Sequence, residues 1–281
     1  MQKKIHIINF FKMLEHNVLL AFGLTTLAGL STGIGSLIAL ISKRSNIKFL
    51  CASLGFSAGV MLYVSFMELL PEAKDELIKH FGDKKGMISL LLAFFGGIGL
   101  ITLIDFLISE PHNPHEFHNI DDIKKNDVRK KSLKRTGIIV ALALVAHNFP
   151  EGIAAFTSVI GHGLSVAIPI IVAIAIHNIP EGIVVSLPIY HATGNKKKAF
   201  WFSFLSGLTE PFGALIAYFF LMPFWSPIIN GIVMAAVAGI MVYISLDELL
   251  PTAQKYGEHH ISIAGLIAGL MIMAITLLLF I

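Results

Sequence analysis

Two segments share one pattern: His147-Asn148-Phe149-Pro150-Glu151-Gly152 and His177-Asn178-Ile179-Pro180-Glu181-Gly182. On a helix, a His and a Glu four apart lie on one face, and the Asn stands one step round it. Pro150 and Pro180 have no N–H, so the carbonyls of Ala146 and Ile176 lose their usual helical donors. Gly152 and Gly182 carry no side chain and admit a neighbouring helix at close range. Imidazole and carboxylate presented together, twice, form a donor set for Zn²⁺ and its first-row neighbours; Ca²⁺ or Mg²⁺ would favour oxygen alone.

The elements that carry these residues are apolar. Of the 281 residues, 55% are hydrophobic and 14% charged, against about 25% charged in a soluble domain. A spanning helix takes about 20 apolar residues, and eight runs qualify: Val18–Ile41, Ile47–Leu70, Met87–Ile108, Gly137–Ile160, Leu164–Tyr190, Lys198–Met222, Pro227–Leu250 and Ile261–Ile281. The predicted fold is an all-α integral membrane domain of eight helices filling residues 1–281, with no room for a sizeable soluble domain. Met1–Asn17 lacks the apolar core of a cleavable signal peptide. The single Cys51 excludes an internal disulfide and a multi-cysteine metal site.

Depth gives the polar residues their meaning. His147 lies ten residues into the fourth run, which at about 1.5 Å per residue is roughly half the hydrocarbon thickness. His177 is 13 residues into the fifth run and Glu210 is 12 into the sixth. Ionisable groups at that depth are costly and mark function by default. Three gathered carboxylates repel unless protons or cations lie between them. The alternative is a hydrogen-bonded polar seam that only holds helices together. Against it stand the duplication, the matched depth and the third Glu.

Two internal repeats organise the chain. Residues Ala58–Ala73 align with Ala238–Ala253 with ten identities in 16 positions, and the paired His-Asn-x-Pro-Glu-Gly segments repeat between runs four and five. Adjacent spans run in opposite directions, as do runs two and seven by count, so both repeats are inverted. A 3+2+3 layout with a central pair of Pro-interrupted helices is the architecture of secondary transporters, whose sites lie near the midplane.

Counted by side, 14 of the 21 basic residues fall in or beside the loops Ser42–Asn46, Ser109–Thr136, His191–Lys197 and Pro251–His260. The positive-inside rule then puts both termini outside the cytoplasm. Ser109–Thr136 is the one long connection, polar enough that mobility is expected. No nucleic acid is expected among the partners.

The paired His-Asn-x-Pro-Glu-Gly motifs resemble those of the ZIP family of metal transporters, in its bacterial broad-specificity branch. Tyr63-Val-Ser-Phe-Met-Glu-Leu-Leu-Pro71, Asn113-Pro-His-Glu116 and Gly207-Leu-Thr-Glu-Pro211 extend the resemblance over nearly the whole chain. It implies a two-metal centre between helices four, five and six. His147, Glu151, His177 and Glu181 would form one site; Asn148, Asn178 and Glu210 would form the other, with Glu151 and Glu181 bridging. It also implies metal movement toward the cytoplasm by alternating access, Zn²⁺ as cargo with Fe²⁺, Mn²⁺ or Co²⁺ beside it, a bacterial inner-membrane location and, in many members, a homodimer. No resident cofactor is implied. Some relatives carry Asp where this chain has Asn178. Two dications about 4 Å apart repel by roughly 16 kcal/mol at an effective dielectric near 20, which argues against filling both sites at once.

Two other classes would use buried His and Glu. An intramembrane metallohydrolase needs a metal-bound water and a base, but the sequence has no His-Glu-x-x-His, and inverted repeats favour transport. A passive metal-selective channel would differ by its flux. Among weaker signals, His112, His115 and His118 are spaced to receive metal at the exit, and Asp105 and Glu110 would line it. Glu68 and Glu248 end the repeated helices, as residues of two gates or, more simply, as interface charges, and Gly29-Leu-Ser-Thr-Gly33 reads as helix packing.

Overall fold

In lipid a chain must satisfy its own N–H and C=O groups, so apolar runs fold as helices. The computed structural model describes residues 2–41, 47–108, 148–161, 163–255 and 258–279, and among them every regular element is helical. In chain order these are α1 (Gln2–Ile41), α2 (Ile47–Val64), α3 (Leu70–Phe81), α4 (Asp83–Ile108), α5 (148–161) and α6 (Leu164–Thr193). Then follow α7 (Lys196–Gly207), α8 (Thr209–Ile216), α9 (Pro227–Ile244), α10 (Leu250–Lys255) and α11 (His259–Leu278). Among the described residues six stretches are long and apolar enough to cross a bilayer: Asn17–Ile41, Lys48–Phe81, Asp83–Phe106, Lys196–Phe224, Pro227–Leu249 and His259–Leu278. The fifth run folds as α6, with a shorter apolar stretch, Ala167–Ile183. The described part of the fourth run is α5, and its first residues, 137–147, lie outside the described residues.

The second span outruns its expected end at Leu70. A π-helical turn, Ser65–Leu69, joins α2 to α3 and carries the helix on to Phe81. In that widened turn the Leu70 N–H bonds the Ser65 carbonyl five residues back. The next residue, Pro71, has no N–H to place, so the helix restarts without an orphaned donor. Its repeat does the same: Ser245–Leu249 is a π-helical turn, the Leu250 N–H bonds the Ser245 carbonyl, and Pro251 follows. Ser65 Oγ donates to the Met61 carbonyl at 2.8 Å, and Ser245 Oγ to that of Met241 at 2.7 Å. The repeat seen in sequence is thus a repeat in backbone geometry.

Helices meet where side chains are missing. A Cβ on Gly55 or Gly59 of α2 would overlap carbonyl oxygens of Ser262 or Leu266 on α11, and one on Gly97 of α4 would overlap that of Ala236 on α9. Close backbone approach maximises dispersion contact where lipid offers no hydrophobic drive. α4 is the least enclosed span, with 17% of its apolar window buried. Leu91, Leu92, Phe95, Leu103 and Phe106 face outward from it as a lipid-compatible surface.

α6 is bracketed by left-handed glycines, Gly163 (φ 75°) before it and Gly194 (φ 65°) after it. Its helix continues through Pro180. Unwinding beside the ligands, which the prolines would permit, occurs instead in the sixth span. There α7 ends at Gly207 and α8 begins at Thr209, two residues before Pro211, whose missing N–H leaves the Gly207 carbonyl without its helical donor.

Candidate metal centre

α5 and α6 are joined by a short connection at Gly163, so they run antiparallel and face one another. This brings Glu151 of α5 against His177 and Glu181 of α6, with ligand atoms of all three within 4.8 Å of one another. Glu151 and His177 are fully buried and Glu181 is 2% exposed. His177 Nε2 lies 3.0 Å from Glu151 Oε1, and His177 Nδ1 lies 2.9 Å from the Ala173 carbonyl.

A carbonyl only accepts, so Nδ1 must carry the proton and donate to Ala173. In the neutral ring Nε2 then turns a lone pair toward the carboxylate, and two acceptors confront each other. A proton or a cation between them resolves that conflict. Two ligands each about 2.0–2.2 Å from a zinc ion stand roughly 3.3–3.6 Å apart at tetrahedral angles, so the observed 3.0 Å pair would open by a few tenths of an ångström around a metal. A backbone carbonyl that fixes the tautomer of a ligating His is the usual outer support of such a site.

The two Asn side chains are oriented in the same way. Asn178 Nδ2 donates to the Ala28 carbonyl at 2.9 Å and to Glu210 Oε1; Asn148 Nδ2 donates to the Ser206 carbonyl at 3.3 Å. With the amide nitrogens committed, the carbonyl oxygens are the free ends. Asn148 Oδ1, Asn178 Oδ1 and Glu210 Oε2 are buried without a protein hydrogen-bond partner. Such groups are costly unless something fills them, and all three are hard oxygen donors suited to a dication.

Of the seven residues singled out, the structure therefore gathers Glu151, His177 and Glu181, and links Asn178 to Glu210. Asn148 is tied to the sixth span on the α5 side. His147 lies outside the described residues, as do Glu110 and the histidines His112, His115 and His118. Asp105 Oδ2 accepts from the Tyr243 hydroxyl at 3.5 Å, joining α4 to α9. Glu68 and Glu248 occupy equivalent half-buried places in the two π-helical turns.

A third repeat, missed in the sequence, frames the site. Gly29 of α1 and Gly207 of α7 are mutual neighbours: a Cβ on either would overlap the carbonyl oxygen of the other. Reciprocity of that kind marks a local two-fold relation. Residues 25–40 align with 203–218 at an offset of 178, with seven identities in 16 positions. Under it the Asn178–Ala28 bond corresponds to the Asn148–Ser206 bond. The contact of Gly182 with the Thr32 carbonyl likewise corresponds to that of Gly152 with the Glu210 carbonyl. Reading Gly29–Gly33 as packing alone conceals this; the shared Gly-Leu and Gly-x-Leu-Ile-Ala at fixed offset were its signal.

The long apolar helices define a multi-pass membrane protein, and buried among them is a His/Glu cluster of the donor types that hold a metal ion. Comparison with known proteins gives the family. Residues 107–277 match the family described as ZIP Zinc transporter. The chain is 56% identical over 279 residues to "Zinc transporter ZupT" of Clostridium perfringens, covering 95% of this chain and 98% of that protein. It is 57% identical over 268 residues to the protein of that name from Streptococcus mutans, covering 95% and 100%. With that of Chlorobium chlorochromatii it is 56% identical over 268 residues, covering 94% and 98%. The chain belongs to the ZIP family, in its bacterial ZupT-like branch, a family of transporters and not of enzymes.

Proposed function

We propose that this chain imports Zn²⁺ into the bacterial cytoplasm by alternating access through a midplane centre of His147, Asn148, Glu151, His177, Asn178, Glu181 and Glu210. The carrying observation is the buried Glu151–His177–Glu181 cluster, in which the Ala173 carbonyl turns the His177 lone pair toward a carboxylate. Zn²⁺ entering from outside exchanges water for imidazole and carboxylate, and leaves inward as the helices that hold it shift. Fe²⁺, Mn²⁺ and Co²⁺ present similar demands to a mixed N/O site and are secondary cargo.

The reading takes the chain as one transmembrane domain of eight helices in a 3+2+3 arrangement, with both termini outside the cytoplasm and a homodimeric assembly. In it the loop 109–136, with His112, His115 and His118, hands metal on at the exit. The two-fold relation of α1 to the sixth span, and of α2 to α9, supports inverted halves.

The test is uptake of zinc by cells that express the chain and lack other zinc importers. Glu181→Ala should bring accumulation down to the vector control while the protein still reaches the membrane. Accumulation at the unaltered rate would contradict the proposal.

A further inference from the structure

The two-fold relation pairs Glu210 with Thr32. Glu210 reaches Asn178 from the sixth span, and its carbonyl packs on Gly152, next to Glu151. Thr32 occupies the equivalent place on α1, where its carbonyl packs on Gly182, next to Glu181. Its Oγ1 and Cβ lie 2.9 and 3.0 Å from where a Cβ on Gly207 would stand; the Glu210 Cβ lies 3.5 Å from the same point on Gly29. The two side chains therefore flank the Gly29–Gly207 crossing from opposite sides. The same two-fold relation that pairs Thr32 with Glu210 pairs Asn148 with Asn178, and the Asn148 amide bonds Ser206, next to the Gly207 that Thr32 Oγ1 lies against.

The Thr32 hydroxyl is fully buried and has no protein partner. A helical Thr or Ser normally returns its hydroxyl to a carbonyl one turn back. Thr157, Ser186, Ser65 and Ser245 all do so here, at 2.6–2.8 Å. Thr32 has no such outlet. The Ala28 carbonyl one turn back already accepts Asn178 Nδ2 at 2.9 Å in addition to its place in the helix, and the single Ser31 hydroxyl proton is placed between it and the Ala175 carbonyl. Thr25, Ser36 and Ser57 are also buried without a partner; what sets Thr32 apart is its place at the Gly29–Gly207 crossing, two-fold related to Glu210. Asn148 Oδ1, across the crossing, is likewise buried and unmatched.

We infer that Thr32 is a contact residue for the transported cation, hydrogen-bonding through Oγ1 to a water that the cation keeps on the Asn148 side of the centre. This rests on the metal-transport reading above and deepens it. The centre then has two unlike walls, a carboxylate on the sixth span and a neutral hydroxyl on α1. The cation exchanges only part of its hydration shell for charged ligands. A site meant to release its cargo must not hold it too tightly, and a hydroxyl where symmetry would allow a fourth carboxylate serves that end.

The test uses the full chain in proteoliposomes and compares Thr32→Val, Thr32→Ala and Thr32→Ser with the unaltered protein and with Glu181→Ala. Losing one hydrogen bond to a metal-bound water should raise KM for Zn²⁺ about fivefold to tenfold in Thr32→Val and Thr32→Ala. It should also change the ratio of Zn²⁺ to Mn²⁺ entry, whereas Thr32→Ser restores both values. In chelator Thr32→Val should unfold at a higher temperature, because an unmatched buried hydroxyl is gone. A merely structural hydroxyl would alter stability and leave KM and the metal ratio unmoved. Unchanged KM and ratio in both Val and Ala variants, alongside zinc entry that Glu181→Ala abolishes, would overturn the role of Thr32 alone. Absence of zinc entry with the unaltered chain would overturn the transport reading, and this inference with it.

Discussion

Asn178 and Glu210 are joined by a hydrogen bond in which the amide Nδ2 donates to the carboxylate Oε1, and the other Nδ2 proton goes to the Ala28 carbonyl. One amide group thus ties α6 to both α1 and the sixth span, leaving Oδ1 buried without a protein partner. Aspartate cannot do this, because it would face two acceptors with no proton to give. Asn178→Asp should destabilise the chelated protein by on the order of 3 kcal/mol, the cost of uncompensated buried charge. A saturating dication should recover most of that loss. Unfolding temperatures in detergent with chelator and with Zn²⁺ check it.

The Gly29–Gly207 crossing makes a sharper packing prediction. Gly29→Ala would press a methyl group into the Gly207 carbonyl and should cost about 1–3 kcal/mol as an overpacked contact. Gly23, on the same helix, has open space where its Cβ would stand. Gly23→Ala should be neutral or stabilising by up to about 1 kcal/mol, from the higher helix propensity of alanine. The two unfolding temperatures should move in opposite directions or differ by several degrees.

The buried His177–Glu151 contact needs a proton or a cation between its acceptors. Removing metal should therefore loosen the core, and adding it should tighten it. At a free zinc concentration 100 times the dissociation constant, the folded state gains about 2.7 kcal/mol. Thermal unfolding of chelated and zinc-loaded protein should show that rise, and Glu181→Ala should lose most of it. Mg²⁺ at equal concentration should give little, since one of the donors is an imidazole nitrogen.

Much of this was legible in the sequence, for physical reasons. Lipid permits a backbone few options, so apolar length alone locates helices such as Asp83–Ile108 and His259–Leu278. The i, i+4 rule places His177 and Glu181 on one face, and duplication pairs them with Glu151. The bonding of each Asn to a helix outside its own hairpin was hidden, because no local pattern reveals which carbonyl an amide will meet. Thr32 was hidden for a related reason. Its importance lies in the Ala28 carbonyl already being taken by Asn178, a contact between α1 and α6 that no local pattern announces. The π-helical turns also escaped: Pro71 and Pro251 suggested helix ends, whereas a widened turn absorbs the missing donor and lets the helix continue.

A transport site for zinc at the His/Glu cluster should show itself as saturable, selective zinc flux. The direct measurement is zinc entry into proteoliposomes loaded with a metal-sensitive dye, with Mg²⁺ as the parallel cation and His177→Ala as the variant. Zn²⁺ entry should saturate with concentration, exclude Mg²⁺ and fall at least a hundredfold in His177→Ala. Equal entry of Zn²⁺ and Mg²⁺, or zinc entry undiminished without the imidazole, would contradict it.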